Sequence, residues 1–307
     1  MTDHSRRKFL YASAATAATA LTSPPLSNAA PASSENELCV FTKPLQHLSY
    51  EALAELTAEM GFDGIEGTVR KGGHVEPERV EEDLPKQIEA LKKSGVAMTI
   101  MTTDVNTADS PLHRRVIKTA ADLGVKSFRM GAIKYTSDVP LADQLEKIKN
   151  TFSELVAFCQ PLGIRPLYQN HAGAGRLGSG LWDLNEVLKT LPTESSGVAF
   201  DIRHATVEGG QSWPTEFQLM RPHFGMVYCK DFIWETGNKR PVNVPLGTGR
   251  VDYPAFIKLL KKPKYEGPIS LHMEYKDHKD PTLLKESIAA IKADKKALDE
   301  LLAGKKA

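Results

Sequence analysis

The chain has 307 residues, 41% of them hydrophobic and 25% charged, and 39 Lys and Arg against 38 Asp and Glu leave a formal charge of +1. So even a balance excludes the broad basic field that nucleic-acid binding requires, and no nucleic-acid partner is expected. Cys39, Cys159 and Cys229 are odd in number and lack redox or metal-ligand spacing, which excludes a disulfide framework and points to buried thiols.

Residues 1–35 read as an export signal. Ser5-Arg6-Arg7-Lys8-Phe9-Leu10 is a twin-arginine start, followed by an alanine-rich stretch and a segment rich in Pro, Ser and Ala with small residues at Ser27 and Ala29. The apolar stretch is well short of the ~20 residues that span a bilayer, so no stable membrane anchor is expected. The motif implies the twin-arginine export machinery as a partner and a periplasmic or extracellular location. About 270 residues, 36–307, remain, enough for one large α/β domain.

Strand-like runs alternate with helical patterns across those residues. Strands are expected near residues 38–42, 62–67, 96–102, 127–131, 164–169, 197–202, 225–230 and 268–273, and eight βα units are the number that closes a (β/α)8 TIM barrel. Helices between them end at Gly61, Gly95, Gly124 and Gly163, each directly before a strand, and no linker-like composition interrupts the series. A single barrel domain is therefore expected. The sixth helix, near residues 214–220, reads as short after a long loop at 204–213, and a second long loop is expected from Phe232 to Asp252.

Four of the strands end in polar clusters: Gln169 to His171, Asp201 to His204, Tyr228 to Asp231 and His272 to Glu274. Because side chains alternate, Gln169 with His171, Asp201 with Arg203, Tyr228 with Lys230 and His272 with Glu274 are expected to share the inner face, while Cys229 points to the helix layer. The carboxyl end of a parallel barrel is where its ligands bind. Glu66 on strand two, Arg70 and His74 in the loop after it, and Arg129 ending strand four lie at the same mouth, as candidates to bind a carboxylate, a phosphate or sugar hydroxyls. The alternative for the loop is a solvated turn. Trp234 is a candidate to stack on a sugar face, with plain packing as its alternative.

These strand ends resemble those of the xylose isomerase-like barrels, the sugar phosphate isomerases and epimerases, over nearly the whole chain after residue 35. The resemblance rests on Asp201 with His204, Lys230 with Asp231, Glu274, and the loop Gly247-Thr-Gly-Arg-Val-Asp252. It implies a divalent metal (Mn, Zn, Co or Mg) at the mouth and proton exchange next to a sugar carbonyl. Two positions depart from the pattern. Gln169 stands where the family has glutamate and Tyr228 where it has a metal-binding histidine, and neither replacement is a good donor. Two readings stay open: a rearranged metal site on Asp201, Glu274 and His272, or a metal-free hydrogen-bonded network. Gly173 to Gly178 has dinucleotide-type glycine spacing without the acidic partner of an open nucleotide-binding sheet, so no nucleotide cofactor is expected.

The expected activity is that of an exported isomerase or epimerase-like enzyme acting on a small-molecule carbohydrate or sugar acid by proton abstraction next to a carbonyl. Glu274 is the expected base, and Lys230, His204 and His171 are its acid or oxyanion-stabilising partners. Gln169 and Tyr228 join Glu66, Arg70, His74, Arg129 and Trp234 as substrate-binding candidates. An amide cannot take a proton, so one-base isomerisation fits better than symmetric epimerisation. The alternatives are a lyase that cleaves an oxidised glycoside by β-elimination, and a non-catalytic sugar-binding barrel with a decayed site.

Overall fold

Eight parallel strands close on themselves in the computed structural model, which describes residues 36–237 and 240–304. The twin-arginine motif lies outside the described residues. The barrel strands are β1 (Leu38–Phe41), β2 (Gly64–Val69), β3 (Ala97–Thr103), β4 (Ser127–Arg129), β5 (Arg165–Gln169), β6 (Gly197–Asp201), β7 (Phe224–Cys229) and β10 (Ile269–Leu271). They pair in chain order, and β10 returns to β1 with Leu38 opposite Ile269. A second, two-stranded antiparallel sheet joins β8 (Asp231–Ile233) to β9 (Val242–Val244).

The helices are α1 (Tyr50–Glu59), α2 (Val80–Lys93), α3 (Pro111–Asp122), α4 (Leu141–Cys159), α5 (Trp182–Leu188), α6 (Ile202–Gly209), α7 (Trp213–Met220), α8 (Tyr253–Leu260) and α9 (Leu284–Leu302). Their starts follow from local chemistry. The Ser49 hydroxyl accepts from the Ala52 N–H, and Ser110 caps α3 with Pro111 at its first turn. Gly61, Gly95, Gly124 and Gly163 all carry positive φ between 66° and 86°, the left-handed conformation that ends a helix and releases the chain into the next strand. The four glycine stops expected from the sequence are therefore where the chain turns.

Side chains on the strands separate into two layers. A small apolar cluster of Cys39, Ile100, Leu167, Ala199, Met226 and Tyr228 fills the barrel, and a much larger cluster, including Cys229 and Cys159, lies between sheet and helices. All three cysteines are free and buried. Above the inner apolar layer the filling becomes polar, with Glu66, Thr102, Asp201, Ser270 and His272 all at most 2% exposed.

Two expected loops are structured. Asp201 ends β6 and its carboxylate accepts from the His204 N–H at 3.1 Å, so the chain turns directly into α6 and residues 204–213 are largely helical. Strand alternation therefore stops at Asp201, and Arg203 belongs to a helix instead of sharing its face. The Phe232 to Asp252 segment holds β9 and folds back because the Asp231 carboxylate accepts from Gly247 N at 3.1 Å, Gly249 N at 2.8 Å and Val251 N at 3.1 Å. A Cβ on Gly249 would clash with Asp231 Oδ1 and the Phe232 carbonyl, which explains the second glycine of that loop.

Candidate active site

Seven side chains on or just past six of the strands form a closed ring under the barrel mouth. Glu66 on β2 contacts Arg129 on β4 (3.6 Å), and Arg129 donates to the Gln169 amide oxygen on β5 (2.7 Å). The Gln169 amide nitrogen donates to Asp201 Oδ2 at the end of β6 (2.7 Å), and that same oxygen lies 3.0 Å from Lys230 Nζ, just past β7. Lys230 reaches on to Glu274 Oε2 (2.8 Å), which is 3.7 Å from His272 Nδ1, and His272 Nε2 closes the ring on Glu66 Oε2 (2.8 Å). Thr102 and Ser270 add hydroxyl donors to Glu66 at 2.5 and 2.8 Å. Lys43, just after β1, binds the outer oxygen of Glu274 at 3.0 Å.

Above the ring lies a cavity of 210 Å³ lined by residues including Phe41, Lys43, Arg70, Asp104, Arg129, Gln169, His171, Lys230 and Glu274. The Arg70 and Arg129 guanidinium carbons lie 5.9 and 5.3 Å from the Phe41 ring centre, and His272 stacks on that ring at 4.5 Å.

A sequence model of the xylose isomerase-like TIM barrel matches residues 54–294. The chain belongs to that family. A curated relative, an uncharacterised protein of Methanocaldococcus jannaschii, is 26% identical over 147 residues, 48% of this chain and 48% of its own length, so the match spans about half of that relative. Solved structures share the fold at low identity. A probable 3-DHS dehydratase from Bacillus anthracis superposes with a TM-score of 0.65 at 17% identity, covering 86% of this chain and 98% of its own. The IOLI protein, solved with a bound zinc atom, gives 0.66 at 18% identity over 87% and 98%. The 3-keto-D-glucoside 4-epimerase of E. coli gives 0.63 at 14% identity over 84% and 98%.

In this xylose isomerase-like barrel the ring's charges hold one another. Burial raises the proton affinity of Glu66, but His272, then Arg129 and Thr102, outweigh it and bring its pKa down to about 2. Burial likewise opposes charge on His272 and Lys230, and the neighbouring carboxylates prevail, so both are raised. Glu274 is held well below its usual range: burial acts upward, and Lys230, His272 and Lys43 more than reverse it.

The two histidines near β5 and β6 shift in the opposite direction to His272. Burial, with Lys230 second, brings His171 down to about 4 and His204 well below its usual value, so both rings are neutral at pH 7. They stack at 4.2 Å. The Ala172 carbonyl, 3.0 Å away, accepts from His171 Nδ1–H, which leaves the Nε2 lone pair free. Arg203 donates to His204 Nδ1 at 3.0 Å, so His204 carries its proton on Nε2, 3.5 Å from Asp201 Oδ2.

Of the residues expected at the site, Glu274, Lys230, His171, Arg70, Arg129 and Gln169 line the cavity. Glu66, Tyr228, Asp201 and His272 are at most 2% exposed and lie beneath it, so Glu66 and Tyr228 support the floor instead of meeting substrate. Tyr228 packs on His272 at 4.3 Å. His204 is second to His171, stacked behind it. His74 turns away, its Nε2 3.1 Å from the Leu45 carbonyl, and holds the β2 loop. Trp234 is 49% exposed on the β8–β9 ribbon and packs on Phe232, away from the cavity lining. Lys43 was missed, although it follows β1 as the other site residues follow their strands; the same strand-end rule would have found it.

The rearranged metal set of Asp201, Glu274 and His272 does not fit a divalent ion as placed. Lys230 Nζ fills the space between the two carboxylates, His272 Nε2 is committed to Glu66, and Gln169 presents its amide N–H, not its oxygen, to Asp201. Among the described residues no group of three or more His, Cys, Asp and Glu side chains converges as ligands.

Proposed function

We propose that this chain is an isomerase-like enzyme that abstracts a proton next to the carbonyl of a small sugar acid bound in the barrel mouth. The observation that carries this reading is the Glu274–Lys230 pair at 2.8 Å on the cavity wall, a carboxylate base beside an ammonium. A carboxylate of such low proton affinity removes a carbon-bound proton only if the charge left on the substrate is neutralised at once, and Lys230 is placed to hold that oxyanion. His171, neutral with a free Nε2, moves the hydroxyl proton as the enediolate collapses.

The choice of a sugar acid over a neutral sugar rests on charge. Lys43, Arg70, Arg129 and Lys230 line the cavity against Asp104 and Glu274, four cations to two carboxylates. Arg70 makes no side-chain hydrogen bond or ion pair with any described residue, while Arg129 lies over the same Phe41 ring. Two guanidinium groups so arranged suit a substrate carboxylate. Gln169 leaves the β5 side of the wall without a carboxylate, which favours one-base isomerisation. On a substrate with a leaving group β to the carbonyl, the same carbanion would expel it in an elimination. Export through the twin-arginine route belongs to this proposal.

The test is solvent deuterium exchange by NMR, with uronates, keto-aldonates and matched neutral sugars. Incorporation at the carbon next to the carbonyl, lost in Glu274→Gln, is expected. Failure of the wild-type protein to exceed buffer on every carbonyl sugar and sugar acid would sink the reading and leave a sugar-binding barrel. Olefinic products would reassign it as a lyase.

A further inference from the structure

We infer that Lys230 is a built-in cation: its ammonium fills the position at the mouth where the Asp201 and Glu274 carboxylates converge, and the protein works without a divalent metal. Asp201 from the end of β6 and Glu274 from beyond β10 aim Oδ2 and Oε2 at a common point, and Lys230 Nζ occupies it at 3.0 and 2.8 Å. Both carboxylates and the lysine are buried or nearly so, with side-chain exposures of 0%, 17% and 5%. Two buried carboxylates this close demand a counter-charge. A metal ion is one solution; here the chain supplies its own counter-charge.

The surrounding side chains are adapted to an ammonium. An ammonium needs acceptors around it and tolerates a neighbouring donor that is directed elsewhere, whereas a divalent ion needs lone pairs on every side. Gln169 turns its N–H2 to Asp201 and its oxygen to Arg129, so it offers no lone pair at the shared point. Tyr228 is fully buried below, against His272, whose Nε2 is taken by Glu66. The His204 N–H holds the second Asp201 oxygen, and Lys43 holds the second Glu274 oxygen. Every oxygen of the two carboxylates is thus satisfied by a nitrogen donor of the chain. In the reaction proposed above, this ammonium takes the electrophile's place, touching the substrate oxygen without a change of ligands.

The inference concerns metal binding and is tested separately from turnover. Protein purified without chelators is expected to contain less than about a tenth of an equivalent of Mn, Fe, Co, Ni or Zn. Titration calorimetry of the wild-type protein with Mn²⁺ is expected to show no stoichiometric site. Lys230→Ala removes the internal cation and leaves Asp201 and Glu274 facing each other, so it is expected to bind Mn²⁺ about a hundredfold or more tightly than wild type, and Asp201→Asn in the same background is expected to abolish that gain. Near-UV circular dichroism establishes whether Lys230→Ala folds, and Lys230→Gln repeats the titration with a neutral side chain of similar reach. Stoichiometric Mn²⁺ or Zn²⁺ in the wild-type protein that is lost on Asp201→Asn would overturn the inference whatever the variants do. So would deuterium exchange that requires added metal, an outcome that leaves the proposed function standing.

Discussion

Glu66 Oε2 and His272 Nε2 lie 2.8 Å apart, both side chains wholly buried, and this ion pair fastens the second strand of the barrel to the last. It joins residues 206 positions apart in the chain, and His272 Nδ1 lies 3.7 Å from Glu274 of the Lys230–Glu274 pair. Replacing the Glu66 carboxylate with an amide removes the charge that faces His272 and turns one of the two oxygens that accept from Thr102, Ser270 and His272 into an N–H2 donor. Glu66→Gln is therefore expected to cost about 3–5 kcal/mol of stability, read as a fall in the urea midpoint at unchanged slope. A loss below about 1 kcal/mol would mean that the pair is not held together as described.

Stability should fall with pH on the acid side. Glu66 has a folded pKa of about 2 against an ordinary 4.5, so its contribution is present above 4.5 and is lost as the pH falls toward 2. His74 and His171, brought to about 4 from 6.5 chiefly by burial, bind protons less readily when folded; their contributions are present above 6.5 and are lost as the pH falls to 4. His272 and Lys230 act the other way, because their folded values are raised and their contributions disappear only as the pH rises through them. A thermal-melt series is expected to show Tm declining from pH 6.5 to 4, with a shallower decline in His171→Asn. A flat Tm across that window would contradict the burial of these rings.

Arg70 gives the substrate proposal its selectivity. A charged hydrogen bond is worth about 1.5–3 kcal/mol, so Arg70→Gln is expected to raise KM for a sugar acid roughly tenfold or more while changing kcat little. The neutral sugar of the same skeleton should be unaffected. Equal losses on both substrates would remove the carboxylate from the proposal.

Gly249 tests the Asp231 clamp. Gly249→Ala places a Cβ against Asp231 Oδ1 and the Phe232 carbonyl and is expected to cost about 1–3 kcal/mol. Gly180, where a Cβ meets nothing within 4 Å, is the control, and Gly180→Ala should stay within about 0.5 kcal/mol. Chemical denaturation of the two variants side by side measures the difference.

The proposed export rests on two residues of sequence, Arg6 and Arg7. Arg6→Lys with Arg7→Lys is expected to hold the protein in the cytoplasm, checked by fractionation and by the mass of the N-terminal peptide. Unchanged export would remove the twin-arginine route.

The sequence by itself determined the barrel and the rim. Alternating apolar runs and helical patterns set eight βα units, glycines at 61, 95, 124 and 163 set four of the stops through their left-handed φ, and the polar strand ends marked the mouth, because each of these signals is local and survives without tertiary context. Tertiary structure decided what the side chains at that mouth do. Closing the barrel sank Glu66 and Tyr228 below the floor, turned His74 toward Leu45, left Trp234 on an outer ribbon, and added Lys43. It also placed Lys230 between Asp201 and Glu274, residues 29 positions before it and 44 after it. Strand alternation says which face a side chain takes; its depth and its counter-charge depend on strands that meet only when the sheet closes.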